Sequence, residues 1–331
     1  MMPATDSPNC DARAACIVAT IGPASEAVVP AILEAGASAL RINTSHMSFD
    51  EMAAAVSRIR EVSAAVPIVL DLQGAKMRLG RFDPRPVARG DLVRFALDGL
   101  APSTVPLPHP EFFHEVATGE TVSVDDGRLA FIVRHGGRDW CAAEALAAGL
   151  LHPRKGVNIV EHPIVLEDLT PDDRRICEYA AGLDRIALAF SFMVDGREST
   201  WIRRCAPATR IIGKVERREA VANLQPIARQ VDEVWVCRGD LGAQLGDAAM
   251  ARWIAAFRPP PGDPPVLMAG QVLEHLTEHA EPTRSEVCHL HDLVTRGYAG
   301  IVLSDETAIG RQPASAVRTA ARLLEAFGEA S

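Results

Sequence analysis

The sequence predicts an α/β fold: a (β/α)8 TIM barrel with a small all-β domain inserted after barrel strand 3. Three observations lead to it. Short apolar runs alternate with segments of helical period, the pattern of a parallel sheet with helical crossovers. The alternation supplies eight strand–helix units, enough to close a barrel. It breaks once, after Arg78, into short stretches separated by turn residues, and it resumes at Asp172.

In chain order, strands are expected at 15–21, 37–42, 67–72, 185–190, 210–215, 233–237, 266–269 and 299–303. Each is apolar and short, as a strand buried on both faces should be. Helices are expected at 27–35, 49–64, 171–181, 198–205, 217–230, 248–257, 285–295 and 314–327. Inside the break, the alternating stretches 92–97, 121–124 and 129–134 read as strands, with Asp125-Asp126-Gly127 as a hairpin turn. Pro102, Pro106, Pro108 and Pro110 crowd the same region. The expected organisation is therefore barrel over 1–80, an inserted β domain or lid over 81–154, and barrel again over 155–331. Two unrelated domains in series are the alternative, and the resumption of the barrel pattern at Asp172 favours insertion. Pro259-Pro260-Pro261 reads as a rigid surface loop before strand seven.

The chain has 331 residues, 48% hydrophobic and 23% charged, which suits a soluble globular enzyme with a sizeable core. Net charge is -9 with signs interspersed, so no basic run points to nucleic acid, and the balance disfavours an anionic membrane. An acidic protein of this kind must gather positive charge locally to handle phosphates. Seven cysteines (Cys10, Cys16, Cys141, Cys177, Cys205, Cys237, Cys288) show no CxxC spacing, which reads as reduced thiols in a cytoplasm. No apolar run approaches the ~20 residues of a membrane span. The start MMPATDSPNCDAR has neither a basic n-region nor an apolar h-region and reads as a loose end.

In such a barrel the reactive groups sit where strands end, and these strand ends are polar. Lys214 and Glu216 alternate with Val215, so they face one side, and Asp240 leaves the next strand. Two carboxylates on adjacent strands with an ammonium beside them read either as a Mg²⁺ site or as a rim salt bridge. Arg41, Asn43, Arg78 and Arg238 at strand ends suggest an anionic ligand, since guanidinium groups suit phosphate; single arginines are more often solvated. Gly239 and Gly242 flank Asp240, where backbone N–H groups could approach an anion or simply form a tight turn. There is no Walker A loop, no GxGxxG and no HExxH. His289 and His291, two apart, fall on different faces of the expected helix, and His275 with His279, four apart, has no further ligand evident for a zinc site.

These residues lie in motifs that resemble the pyruvate kinase family. The likeness runs in order through IVATIGPAS (17–25), LRINTSH (40–46), VLDLQGAKMRLG (69–80), VDDG (124–127), KGVN (155–158), GKVE (213–216), RGDLG (238–242), EPTRSE (281–286) and SDETAIG (304–310). The resemblance implies that Glu216 and Asp240 hold an essential divalent ion, Mg²⁺ or Mn²⁺. It implies that Lys214 stabilises charge on the transferring phosphoryl group and the enolate, and that Arg41 and Arg78 bind phosphoryl groups. Asn43, His46, Lys155 and Asn158 would hold the nucleotide, and the backbone at Gly239-Asp240 the substrate carboxylate. Leu72, Gln73, Lys76 and Leu79 resemble the branch that works without K⁺, with the Lys76 ammonium replacing the monovalent cation.

The sequence departs from the family in three ways. It stops after the last barrel helix, so the family's C-terminal regulatory domain is not expected, while a homodimer through barrel helices is compatible with what is present. Gly270 stands where the family has a threonine near the substrate carboxylate. Ala75 replaces a proline, and Asp305 replaces a glycine. The leading expectation is conversion of phosphoenolpyruvate and ADP to pyruvate and ATP, in which the enolate is protonated through water because Gly270 has no side chain. A related phosphotransferase or lyase acting on another enolpyruvate-like substrate is a second reading, motivated by the room at Gly270. A non-catalytic regulator with the same fold is a third.

Overall fold

The computed structural model describes residues 15–98, 103–125, 127–162, 164–260 and 264–328. By its contacts the chain divides into a barrel unit, up to Leu72 and again from Leu169, and an inserted unit, Gln73–Asp168.

The barrel unit has eight parallel strands: β1 (Cys16–Ile21), β2 (Ala39–Asn43), β3 (Ile68–Leu72), β4 (Ile186–Phe190), β5 (Arg210–Val215), β6 (Glu233–Cys237), β7 (Val266–Ala269) and β8 (Gly300–Leu303). They close in the order β1-β8-β7-β6-β5-β4-β3-β2. These are the eight strands expected from the apolar runs. Each is buried along most of its length, since helices cover one face and the barrel interior the other. Local chemistry fixes the helix starts. Ser48 with Glu51, and Thr283 with Glu286, form capping boxes at Phe49–Val62 and Arg284–Thr295. Thr170 caps Pro171–Ala181, whose proline occupies the first turn, where no N–H is needed.

Three helical details differ from expectation. The helix expected at 217–230 is two short helices, Arg218–Ala222 and Leu224–Ala228. Pro226 cannot donate to the carbonyl four residues back, and Asn223 between the helices donates through Nδ2 to Val194 O at 3.1 Å. Arg238–Leu245 and Asp305–Ala308 are helices where strand-end loops or a tight turn were expected.

The barrel interior is filled by Val18, Ala39, Val69, Ala187, Ala189, Ile212, Trp235, Leu267, Ala269 and Val302. The alanines make room for the Trp235 indole, which is 1% exposed. Successive residues on one face of a strand are two apart. The next inward positions toward the strand ends are therefore Thr20, Arg41, Asp71, Ser191 and Lys214, with Glu216 beyond. The interior changes from apolar to charged within one layer.

The inserted unit has a seven-stranded sheet in the order Met77–Arg78, Gly156–Ile159, Thr121–Val124, Leu129–Gly137, Trp140–Ala145, Leu92–Ala96, Thr104–Pro106. A two-stranded sheet joins Arg85–Val87 to Gly149–Leu151. Phe95 and Phe131 meet edge to face at 5.4 Å in its core. The Asp125–Gly127 turn joins two antiparallel strands as expected, with φ 55° at Asp125 and 87° at Gly127. The unit extends beyond the expected 81–154 because Met77 and Arg78 pair with Val157 and Gly156 at its closing end. It is also not purely β: Pro110–Glu115 is a helix that buries Phe112 and Phe113.

Candidate active site

The polar layer at the C-terminal ends of the barrel strands is built around Asp71. Its carboxylate is 2% exposed and sits in an otherwise apolar strand, IVLDL. Lys214 Nζ donates to both Asp71 oxygens at 3.0 Å, and Arg41 donates to Oδ2 from Nε at 2.8 Å and from Nη2 at 2.5 Å. Ser191 Oγ donates to Asp71 Oδ1 at 3.2 Å and accepts from Lys214 Nζ at 2.9 Å. Thr44 Oγ1 donates to the Asp71 carbonyl at 2.7 Å, which anchors the turn after β2 to β3. Arg41 Nη1 reaches Thr20 Oγ1 at 3.0 Å.

Glu216 completes the cluster. Its Oε1 lies 2.9 Å from Lys214 Nζ, and its Oε2 accepts the Phe192 N–H at 2.8 Å. Phe192 adopts φ 59°, a left-handed conformation uncommon for a bulky residue. The bond to Glu216 helps to hold it there. Two cations thus meet two carboxylates with little exposure to solvent. Burial alone would lower the Lys214 pKa; Asp71 and Glu216 outweigh it and hold the ammonium charged well above its usual range. Burial would raise the Asp71 pKa; Lys214 and Arg41 outweigh it and keep the carboxylate ionised below its usual range. Arg41 is raised in the same way by Asp71 against burial. The cluster is charge-balanced, with both cations fixed in place, so their N–H donors need not reorganise when negative charge develops nearby.

The expected Lys214–Glu216 juxtaposition is therefore present. Asp240 lies in the first turn of the helix Arg238–Leu245, directly after β6, the strand next to β5. Gly239 precedes it in the same turn. Among the described residues no group of three His, Cys, Asp or Glu side chains gathers as a metal cage. Glu216 takes one donor on each oxygen and retains lone pairs. By residue type, Glu216 and Asp240 suit Mg²⁺, which prefers a few carboxylates completed by waters and substrate oxygens. Gly270, after β7, has φ 80° and faces the helix start: a Cβ there would be 3.6 Å from Gly239 N and 3.8 Å from Arg238 N. Asn43 turns its Oδ1 back to accept the Ser45 N–H at 3.2 Å. Arg238 does not present itself to an anion. It donates to the carbonyls of Gly270 and Gln271.

The remaining expected residues belong to the inserted unit. Arg78 donates its backbone N–H to His109 Nε2 and its Nη1 to Arg154 O, both at 3.0 Å. Burial lowers the His109 pKa to about 4, so the ring is neutral and can accept that bond. Lys155 pairs with Asp125 at 2.9 Å. Asn158 lies in the strand Gly156–Ile159, opposite Ser123. The Lys76 side chain runs beside Gly156, within 3.8 Å of where a Cβ would be. Cys10, Pro102, Asp126, Pro261 and the His46 side chain lie outside the described residues.

Sequence reasoning passed over Asp71, Ser191 and Thr20 as site residues. The available signal was a single acid inside an apolar strand, which must find a cation to be buried.

Comparison with known proteins agrees with this geometry. The family described as "Pyruvate kinase, barrel domain" matches residues 12–317. The pyruvate kinase of Mycobacterium tuberculosis (strain H37Rv) is 31% identical over 331 residues, covering 95% of this chain and 70% of that protein. That of Thermococcus litoralis is 29% identical over 329 residues, covering 95% and 69%. The crystal structure of Cryptosporidium parvum pyruvate kinase superposes with a TM-score of 0.83 at 26% identity, covering 96% of this chain and 71% of that one.

Proposed function

This chain belongs to the pyruvate kinase family, and on that basis we propose that it transfers the phosphoryl group of phosphoenolpyruvate to ADP, giving pyruvate and ATP. The observation that carries the reading is the buried, charge-balanced cluster of Arg41, Asp71, Lys214 and Glu216 at the barrel strand ends. Phosphoryl transfer needs positioning and neutralisation of developing charge more than covalent chemistry by the protein.

In this reading Lys214 faces the transferring phosphoryl group and the enolate oxygen. Asp71, Glu216 and Ser191 hold its ammonium in place, and the two carboxylates keep it protonated. Arg41, steadied by Asp71 and Thr20, directs its remaining N–H donors at phosphoryl oxygens, and Arg78 contributes a second guanidinium. The first-turn backbone at Gly239-Asp240 receives the substrate carboxylate. Asn43, His46, Lys155 and Asn158 hold the nucleotide. Glu216 and Asp240 would hold the divalent ion, which when bound supplies further neutralisation of phosphoryl and enolate oxygens. With no side chain at Gly270, water delivers the proton to the enolate carbon. Lys76 supplies the positive charge that a monovalent cation would otherwise bring, so K⁺ is not required. A cytoplasmic location accords with the scattered cysteines, which show no CxxC spacing. No helix among the described residues is long and apolar enough to cross a membrane.

The test is a lactate dehydrogenase-coupled assay with phosphoenolpyruvate, ADP and Mg²⁺ in a buffer free of Na⁺ and K⁺. Pyruvate should form in wild type and not in Lys214→Met, and added K⁺ should change the rate by less than about twofold, within ~0.4 kcal/mol. Equal rates in the two proteins would reject the assignment of Lys214. Strong K⁺ stimulation would reject the role of Lys76 alone.

A further inference from the structure

The helix Arg238–Leu245 starts immediately after β6, and no side chain caps it. The first N–H groups of any helix lack intrahelical acceptors, so the nearest acceptor will take them. The backbone next to them is the exit of β7, where a Cβ on Gly270 would stand 3.6 Å from Gly239 N. A freely turning peptide at that exit could cap the helix with its own carbonyl and close the subsite. A glycine there adds freedom to turn and no side chain to block it.

Arg238 opposes that collapse. Its Nε and Nη2 donate to the Gly270 carbonyl at 3.0 and 2.7 Å, and Nη2 also donates to the Gln271 carbonyl. Both peptides are thereby held in left-handed conformations, φ 80° at Gly270 and φ 55° at Gln271. The second is uncommon for a residue with a side chain and needs outside support. The far end of the turn is fixed too: Glu306, 1% exposed, accepts the N–H of Leu273 at 3.1 Å and of Ser304 at 2.7 Å. The turn 270–273 is thus gripped by a guanidinium at one end and a carboxylate at the other.

We infer that Arg238 is a positioning residue for the carboxylate subsite: by holding the Gly270 and Gln271 carbonyls, it keeps the Gly239 N–H open to the carboxylate of the substrate. This rests on the functional reading above. It also reassigns Arg238, a phosphate-binding candidate in the sequence, to a structural grip on a neighbouring strand exit.

The test compares wild type, Arg238→Met and Arg238→Lys, each checked for an unchanged thermal midpoint. The KM for phosphoenolpyruvate should rise about tenfold or more in Arg238→Met, the loss of roughly one hydrogen bond to the carboxylate. The KM for ADP should stay within twofold, the same one-bond scale leaving it untouched. Arg238→Lys, which can still donate to one carbonyl, should recover part of the loss. It also carries the test if Arg238→Met fails to fold. In a second readout, ¹⁵N-glycine-labelled protein is titrated with pyruvate. The Gly239 amide should shift in wild type and not in Arg238→Met. An unchanged KM for phosphoenolpyruvate in folded Arg238→Met, or equal rises in both KM values, overturns the inference. If wild type forms no pyruvate, the functional reading fails, and the amide titration still decides this one. A shift lost in the variant supports it, while equal shifts, or none in wild type, overturn it.

Discussion

The barrel and the inserted unit handle charge in opposite ways. At the barrel strand ends Lys214 is 8% exposed and Asp71 and Glu216 are each 2% exposed, and the three are locked together at 2.9–3.0 Å. In the inserted unit Lys155 is 38% and Asp125 15% exposed, and Arg134 with Glu144 are 45% and 37% exposed. Water screens the second kind of pair and makes it worth little, about 0–1 kcal/mol. The first kind has exchanged hydration for fixed partners, so each member depends on the others. Rigid, dry charge suits a reacting centre, and solvated, exchangeable charge suits contacts that must form and break.

The contrast is sharpest at Lys214. Lys214→Met should lower kcat by about a thousandfold or more, as loss of a preorganised charge stabiliser does. By leaving buried carboxylates short of a cation it should also cost on the order of 3–5 kcal/mol of stability, read by urea denaturation. If it melts like wild type, the cluster is not the interdependent unit described here.

Acid should separate the two units next. Asp71 is held below the usual carboxylate range, so its contribution is present above that range and lost only as pH falls through its depressed value. Lys214 is held above its usual range, so its contribution is complete below that range and lost only in strong alkali. The barrel cluster should therefore be indifferent to mildly acidic conditions. His109 behaves differently. It is neutral when folded down to about pH 4, whereas its unfolded value is 6.5. Stability is full above pH 6.5, declines as pH falls toward 4 because the unfolded chain binds the extra proton, and levels off below, for a total of about 3 kcal/mol. Denaturation across that window should show the slope, and His109→Gln, which can still accept the Arg78 N–H, should lessen it, leaving the part due to His289, which burial lowers in the same direction. The smallest effect belongs to the solvated pair. Lys155→Ala should change stability by no more than about 1 kcal/mol while raising the KM for ADP severalfold. A large loss of stability would place that pair with the buried class.

What the sequence disclosed follows the same division. The barrel strands were legible because each is a short apolar run buried on both faces. Lys214 and Glu216 were legible because two-residue alternation fixes a shared face. Asp71 was not, because its partners Arg41 and Lys214 lie 30 and 143 positions away, and nothing local marks the pairing. The helix at Arg238–Leu245 was hidden by Gly239 and Gly242, residues of low helical propensity. In the inserted unit, strands of two or three residues carry too little alternation to stand out. Pro86 and Pro106 sit within strands where a proline argues against one unless the strand lies at an edge.

The central claim is that the Lys214 ammonium, held charged by Asp71 and Glu216, stabilises the enolate. Exchange of pyruvate methyl protons into D₂O, followed by NMR with ATP and Mg²⁺ present and K⁺ absent, isolates that step from phosphoryl transfer. Wild type should exchange at least about a hundredfold faster than Lys214→Met. Equal exchange in the two proteins would contradict the claim.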